Sequence, residues 1–173
     1  DKLIVNGDHD GPGYLVALDR RTGQTLWKNQ RPNQTRSYCT PIIRQIDGRN
    51  QMVLAGSKCV ASYDPDSGVQ HWIIDGPTEQ FVASLVYRGD LFFMTCGYPD
   101  HFMQAIRPDG TGNVTHTHVL WQREEDCSYV PSPIALGPYF LLVSDTGVAT
   151  CLDAKSSDVL WRERIGPHFS ASP

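Results

Sequence analysis

Five acidic and imidazole side chains are the first residues whose types could do chemistry. Asp8, His9 and Asp10 stand together in NGDHDGPG, and Asp100 and His101 share GYPDHF. Their ligand types suit zinc or another divalent ion. The two loops lie almost a hundred residues apart, so convergence would require a central site, and no metal is expected. THTH sets His116 and His118 two apart, on one face if extended, where two imidazoles chelate weakly. The plainer reading of that stretch is an exposed inserted hairpin. DGTGN is glycine-rich, but it joins strand to strand and lacks the helix start that a phosphate cradle needs. No Ser-His-Asp arrangement or helical metal motif is recognisable. Asn33–Thr35 and Asn113–Thr115 fit the N-glycosylation sequon, which matters only in a secreted eukaryotic protein. Cys39, Cys59, Cys96, Cys127 and Cys151 contain no CxxC or vicinal pair. Metal-knuckle and thioredoxin-like readings therefore fail, and Cys59 and Cys151 in apolar runs read as small buried hydrophobes.

The elements that must position these groups are short strands. PIIRQID, ASLVYRG and SPIALG read as first strands, and KLIVNG, QMVLAG, DLFFMTCG and YFLLVSD as second strands. YLVALD, CVASYD, FMQAIRP and VATCLD follow as third strands, and TLWKNQ, VQHWIID, HVLWQRE and VLWRERI as fourth strands. Turn signals such as IDGRN, DRRTGQ and DPDSG separate them, and no amphipathic helix is evident. The formal charge of −4 argues against nucleic acid and offers no basic field to an anionic membrane. No apolar run reaches the length of a membrane span, so no direct membrane insertion is expected.

The strands repeat. Trp27, Trp72, Trp121 and Trp161 are separated by 45, 49 and 40 residues, the period of a repeat array. Ala17, Asp19, Thr22, Gly23 and Trp27 recur in spacing as Ser62, Asp64, Ser67, Gly68 and Trp72. They recur again as Cys151, Asp153, Ser156, Ser157 and Trp161. The third copy keeps Ala105 and Trp121 but has Arg107 in place of the aspartate and an insertion before the tryptophan. Asp ends a strand and accepts turn N–H groups, Gly supplies a positive φ, and the next strand carries an indole of roughly 150–250 Å². One tryptophan per repeat, placed alike, predicts docking between neighbouring sheets, with Trp27, Trp72, Trp121, Trp161, Gly23 and Gly68 as structural docking residues. Four short antiparallel strands per repeat make the blade of an all-β propeller.

ALDRRTGQTLW (Ala17 to Trp27) resembles the tryptophan-docking motif of the pyrroloquinoline-quinone-like (PQQ-like, quinoprotein-like) propeller repeat family, and the resemblance spans the chain. It implies a partial ring of about four blades from a seven- or eight-bladed propeller. The expected limits are a partial blade at 1–30, blades at 38–75, 81–124 and 131–165, and the start of another at 170–173. The chain begins at a second strand with Asp1 rather than Met, and SASP aligns with the lead-ins YCTP and PSP. It therefore reads as an excerpt of a longer propeller; pairing with a second copy to close an eight-bladed ring is the alternative.

In such a blade the loops between second and third strands share a face with the inter-blade segments. Those segments contribute Arg31, Arg36 and Tyr38, then Glu79, then Glu124, Glu125 and Asp126, then His168. The candidate binding residues are accordingly His9, Asp10, Arg36, Tyr38, Asp100, His101 and Glu125. The family's enzymes are quinone-dependent dehydrogenases, which use PQQ with calcium, a catalytic carboxylate and a vicinal cysteine pair. Its other members include an outer-membrane assembly scaffold and sensor domains attached to kinases. The resemblance thus implies an extracytoplasmic, periplasmic setting, and with no catalytic motif visible the chain reads as a non-catalytic scaffold. A protein or peptide partner is expected and no cofactor; the alternatives are a dehydrogenase fragment and a sensor domain.

Overall fold

The computed structural model describes residues 1–32, 35–76 and 78–173. The sequon at Asn33–Thr35 thus lies partly outside the described residues. Among the described residues, sixteen strands and no helix form four sheets. The first sheet holds β1 (Lys2–Gly7), β2 (Gly13–Asp19) and β3 (Thr25–Arg31) in that order. The second is built from β4 (Ile42–Ile46), β5 (Arg49–Gly56), β6 (Cys59–Tyr63) and β7 (Gln70–Asp75). The third contains β8 (Val86–Arg88), β9 (Leu91–Cys96) and β10 (Phe102–Ile106). After a short strand β11 (Gly112–Asn113), β12 (Val119–Arg123) completes it. The fourth runs β13 (Ile134–Leu136), β14 (Tyr139–Val143), β15 (Val148–Asp153) and β16 (Val159–Arg164).

The sheets stack face to face in chain order, and no ring closes. Leu15, with Ile4 and Trp27, meets Met52, Leu54, Ala61 and Tyr63 between the first and second sheets. Val53, Val60, Trp72 and Ile74 meet Phe92, Met94 and Ile106 between the second and third. Phe93 stacks on Phe140 between the third and fourth, with ring centroids 4.9 Å apart and Trp121 tilted against both.

The four tryptophans occupy one register. Ala17, Ser62, Ala105 and Cys151 are the cross-strand partners of Trp27, Trp72, Trp121 and Trp161, and each pair is followed by a bulge. A small residue opposite the indole leaves the ring free to reach the next sheet. There its Nε1–H finds a backbone carbonyl at a constant place. Trp27 donates to Pro65 O (3.2 Å), Trp72 to Pro108 O (3.1 Å) and Trp121 to Ala154 O (3.0 Å). Pro65, Pro108 and Ala154 all follow the residue at the motif's aspartate position. Trp72 is fully buried and also donates to Gln51 Oε1 (2.8 Å). Trp161, on the last sheet of the chain, is 47% exposed. Burying one indole stabilises the stack by about 4–6 kcal/mol of gross transfer free energy, before ordering costs.

The aspartate turns are equally regular. Asp19 Oδ1 accepts from Arg21 N–H (2.9 Å) and Thr22 N–H (2.8 Å), and Gly23 N–H returns to Asp19 O (2.9 Å). Asp64 does the same with Asp66, Ser67 and Gly68, and Asp153 with Lys155, Ser156 and Ser157.

The insertion in the third repeat differs from the expected exposed hairpin. Residues 108–118 reach back to the second sheet, where β11 adds as a fifth strand, parallel to β7. Val114 is buried in the core between the second and third sheets. Residues 115–118 form a turn rather than an extended strand, so His116 and His118 do not share a strand face. His118 turns instead to Asp109 (3.4 Å) and Thr117 Oγ1 (2.8 Å). The physical cause is an open edge: β7 exposes unpaired backbone groups, and a long enough insertion satisfies them.

Candidate functional site

The loops between second and third strands meet the inter-sheet segments on one rim. Asp8, just past β1, lies at its centre between the first two sheets. Its side chain is fully buried and accepts from Arg31 Nε (2.9 Å), Arg31 Nη2 (3.1 Å) and Ser37 Oγ (2.7 Å). Arg31, at the end of β3, is 3% exposed and also donates to Gly56 O (2.8 Å) and Tyr63 Oη (3.0 Å) on the second sheet. Burial opposes the guanidinium charge, but the Asp8 carboxylate outweighs it, and Arg31 is held protonated more firmly than an exposed arginine. The pair is a lock between sheets, so Asp8 is not free to bind a metal.

The predicted site residues fall into two groups on this rim. In the first, Asp10 pairs with Arg36, and that hydrogen bond raises the Arg36 pKa. Tyr38 adjoins them and is 59% exposed, while its N–H is fixed to Phe81 O (2.8 Å). His9 is exposed, and its Nδ1 accepts from Gly11 N–H (2.9 Å). In the second group, Asp100 is exposed, with its N–H on Thr78 Oγ1 (3.3 Å). His101 lines a pocket of about 350 Å³ with Glu124, Asp126 and Asp145. Glu125 is exposed at 4.0 Å from both Arg123 and Arg162. Among the described residues no three His, Cys, Asp or Glu side chains come together to hold a metal ion. The five cysteines are buried and unpaired. Burial pushes the thiols of Cys39 and Cys127 up to about 12.

Two tyrosines not foreseen in the sequence complete the rim. Tyr98 forms a bridge with Gln80 and is 50% exposed, and Tyr129 Oη donates to Gln80 Oε1 (3.3 Å). With Tyr38 fixed to Phe81, three phenols surround the short segment at 79–81. Burial raises the Tyr129 pKa, and the nearby Tyr38 and Tyr98 add to the shift. Tyr129 and Val130 N–H groups both bond the Asp145 carboxylate (2.7 and 3.1 Å), which ties the third inter-sheet segment to the fourth sheet. Nearer the first strands, Ser84 N–H donates to Ser132 Oγ (3.0 Å) and Ser132 N–H to Ser172 Oγ (2.9 Å). The aligned lead-ins contained that signal, since each puts a hydroxyl residue at the equivalent place: Thr40, Ser84, Ser132 and Ser172. A rigid backbone thus presents exposed aromatic rings. It offers a contact surface with little conformational entropy to lose.

The family model described as outer membrane protein assembly factor BamB matches residues 1–163. No curated protein matches by sequence. Among solved structures, BamB from Moraxella catarrhalis is 17% identical with a TM-score of 0.69, covering 98% of this chain and 48% of its own. The quinohemoprotein alcohol dehydrogenase from Comamonas testosteroni is 11% identical with a TM-score of 0.70, covering 94% of this chain and 36% of its own. The computationally designed protein Ika8 is 11% identical with a TM-score of 0.67, covering 99% of this chain and 48% of its own. The chain therefore spans half or less of these structures. At such identities the likeness shows a fold: the four sheets are blades of a partial β-propeller.

Proposed function

Since the chain belongs to the PQQ-like, BamB-type propeller repeat family, we propose that it is a non-catalytic binding module whose rim holds a protein or peptide partner. The observation that carries this reading is the trio Tyr38, Tyr98 and Tyr129 around residues 79–81, two of them at least half exposed on backbone fixed by hydrogen bonds. Tyrosine supplies large contact area at low entropic cost and is enriched at the energetic centres of interfaces. Arg36, Asp10, His9 and, further round, Asp100, His101 and Glu125 form the polar surround that fixes partner orientation. By family likeness the setting is extracytoplasmic. The rim needs no cofactor for this task. The dehydrogenase alternative would require a calcium and quinone site.

Photo-crosslinking tests the reading. A benzoylphenylalanine at Tyr98 in the native host should give one discrete protein or peptide adduct. The same probe at Lys155, in an exposed turn at the other end of its sheet, should give none. Equal adducts at both positions, or none at Tyr98, would refute the rim assignment. Incubation with PQQ, calcium and an alcohol should leave an electron-accepting dye oxidised; dye reduction would overturn the non-catalytic reading.

A further inference from the structure

The chain already shows how one of its blades takes an added strand. Beside β7, Val114 N–H donates to Ile73 O (2.9 Å) and Asp75 N–H donates to Thr115 Oγ1 (2.9 Å). Asn113 Nδ2 reaches Asp75 Oδ2 (2.9 Å), and the Val114 side chain is buried between the second and third blades. The segment is anchored at its start by Arg49, Gln51 and Trp72, all of which donate to Pro108 O.

One blade earlier, no described segment fills the equivalent groove. The motif register aligns Trp27 with Trp72, and with it Lys28 with Ile73 and Gln30 with Asp75. β3 is the outer edge of its sheet, so Lys28 C=O and Gln30 N–H take the places of the two β7 groups that hold the strap. Between β3 and β7 lies a groove of about 480 Å³, lined by Lys28 to Pro32 on one side and Tyr63, Val69 and Ile73 on the other. Val69 is 63% exposed at its mouth. The second blade's turn is only Asp64 to Gly68, too short to fold back as residues 108–118 do.

We propose that this groove is a strand-addition site for an extended peptide of a protein partner. The peptide pairs parallel to β3 and inserts one branched apolar side chain beside Val69 and Ile73. The molecule itself supplies the template for the occupant: a Gly-Asn-Val-Thr segment fills the equivalent groove and bonds the equivalent backbone groups. Backbone pairing supplies affinity in this mode, and the inserted side chain supplies selectivity. Gln30 stands where Asp75 receives the strap's asparagine, so the partner residue there meets an amide rather than a carboxylate. The inference rests on the reading of the chain as a protein-binding module but uses a different surface from the tyrosine rim.

A fluorescent peptide of the strap sequence, DGTGNVTHTH, is the probe, read by anisotropy and by amide exchange on the whole chain. Saturable binding with slowed exchange at Gln30 is expected. Two variants should each weaken it about tenfold, the equivalent of about 1.4 kcal/mol. Gln30→Pro removes the outward donor while sparing the β2–β3 ladder, and Val69→Asp charges the mouth of the groove. A peptide with Asp in place of its Val should weaken binding similarly. Circular dichroism confirms that both variants keep the fold. No binding at millimolar peptide, binding indifferent to both variants, or protection at Ile73–Asp75 in place of Gln30 would overturn the proposal. Tyr38→Ala should leave peptide binding unchanged. Its loss in that variant would move the peptide to the rim, sinking the groove while leaving the rim reading intact.

Discussion

Gly68→Ala and Gly23→Ala are the same change in the same turn, and only one of them meets a docked ring. Both glycines have a left-handed φ, +77° and +73°. A methyl group there costs roughly 1–2 kcal/mol in either turn. At Gly23 an added Cβ meets nothing within 4 Å. At Gly68 it would lie 2.8 Å from Cδ2 and Cε3 of Trp27, inside any real contact distance. The ring is held by its bond to Pro65 O, so it must shift by about half an ångström and lose that bond, worth about 0.5–1.5 kcal/mol. Overpacking adds about 1–3 kcal/mol. Gly68→Ala should therefore be about 1.5–4.5 kcal/mol worse than Gly23→Ala. For a chain of this size that lowers Tm by a further 3–18 °C, roughly. Thermal unfolding followed by far-ultraviolet circular dichroism measures the difference. In the background of Trp27→Leu most of the difference between the two alanine variants should disappear, leaving only the contact of the added Cβ with the flexible Asn29 amide (3.0 Å). Equal losses at the two glycines in the parent chain would refute the claim that the indole sits against the next blade's turn.

Three further outcomes follow from other parts of the molecule. Asp8→Ala strands the buried Arg31 charge and should cost about 3–5 kcal/mol in urea unfolding, while Asp8→Ala with Arg31→Met should recover most of that loss; a double variant as unstable as the single would show that the pair is not the lock described. Backbone hydrogen bonds hold Asp19, Asp64 and Asp153 below the ordinary carboxylate value of 3.8, so their stabilisation is present above that pH and is lost as pH falls through the lower folded values. The urea midpoint should drop below pH 4, and the triple Asp→Asn variant should flatten the drop; an unchanged slope contradicts it. Burial holds the thiols of Cys39, Cys59, Cys96, Cys127 and Cys151 in their protonated form, so a thiol reagent at pH 8 should label none in the native chain and all five in denaturant.

The repeat was legible in the sequence because its parts are local. Asp, the hydroxyl residue and Gly or Ser fall within one turn, and the small residue opposite each Trp is fixed by hairpin register. What joins the blades was less legible. Asp8 lies on the loop after β1 and Arg31 at the end of β3, and only the fold reveals that one neutralises the other. Tyr98 and Tyr129 are unremarkable in their own segments, and become a group only because residues 79–81 run between them. The strap at 108–118 looked like an exposed hairpin, since its DGTGN turn is what a hairpin would carry. Its parallel pairing depends on a neighbouring blade's open edge, which no pattern within the insertion encodes.

The docking contact also explains why the tryptophans reveal architecture and say little about function. Trp27, Trp72 and Trp121 each donate to a backbone carbonyl, and every residue has one. Pro65, Pro108 and Ala154 serve equally, and the third repeat keeps the contact although it has lost both the aspartate and the short turn. A stack held in this way tolerates wide variation in its side chains, which accords with TM-scores near 0.7 at identities of 11–17%. The loops are under no such common constraint. The loop after the second strand places Asp8 in one blade, Tyr98 in another and Asp145 in a third against the adjoining segment, each engaged differently. What varies between the repeats is therefore their loops and edges, and the rim and the groove beside β3 are where those differences reach solvent.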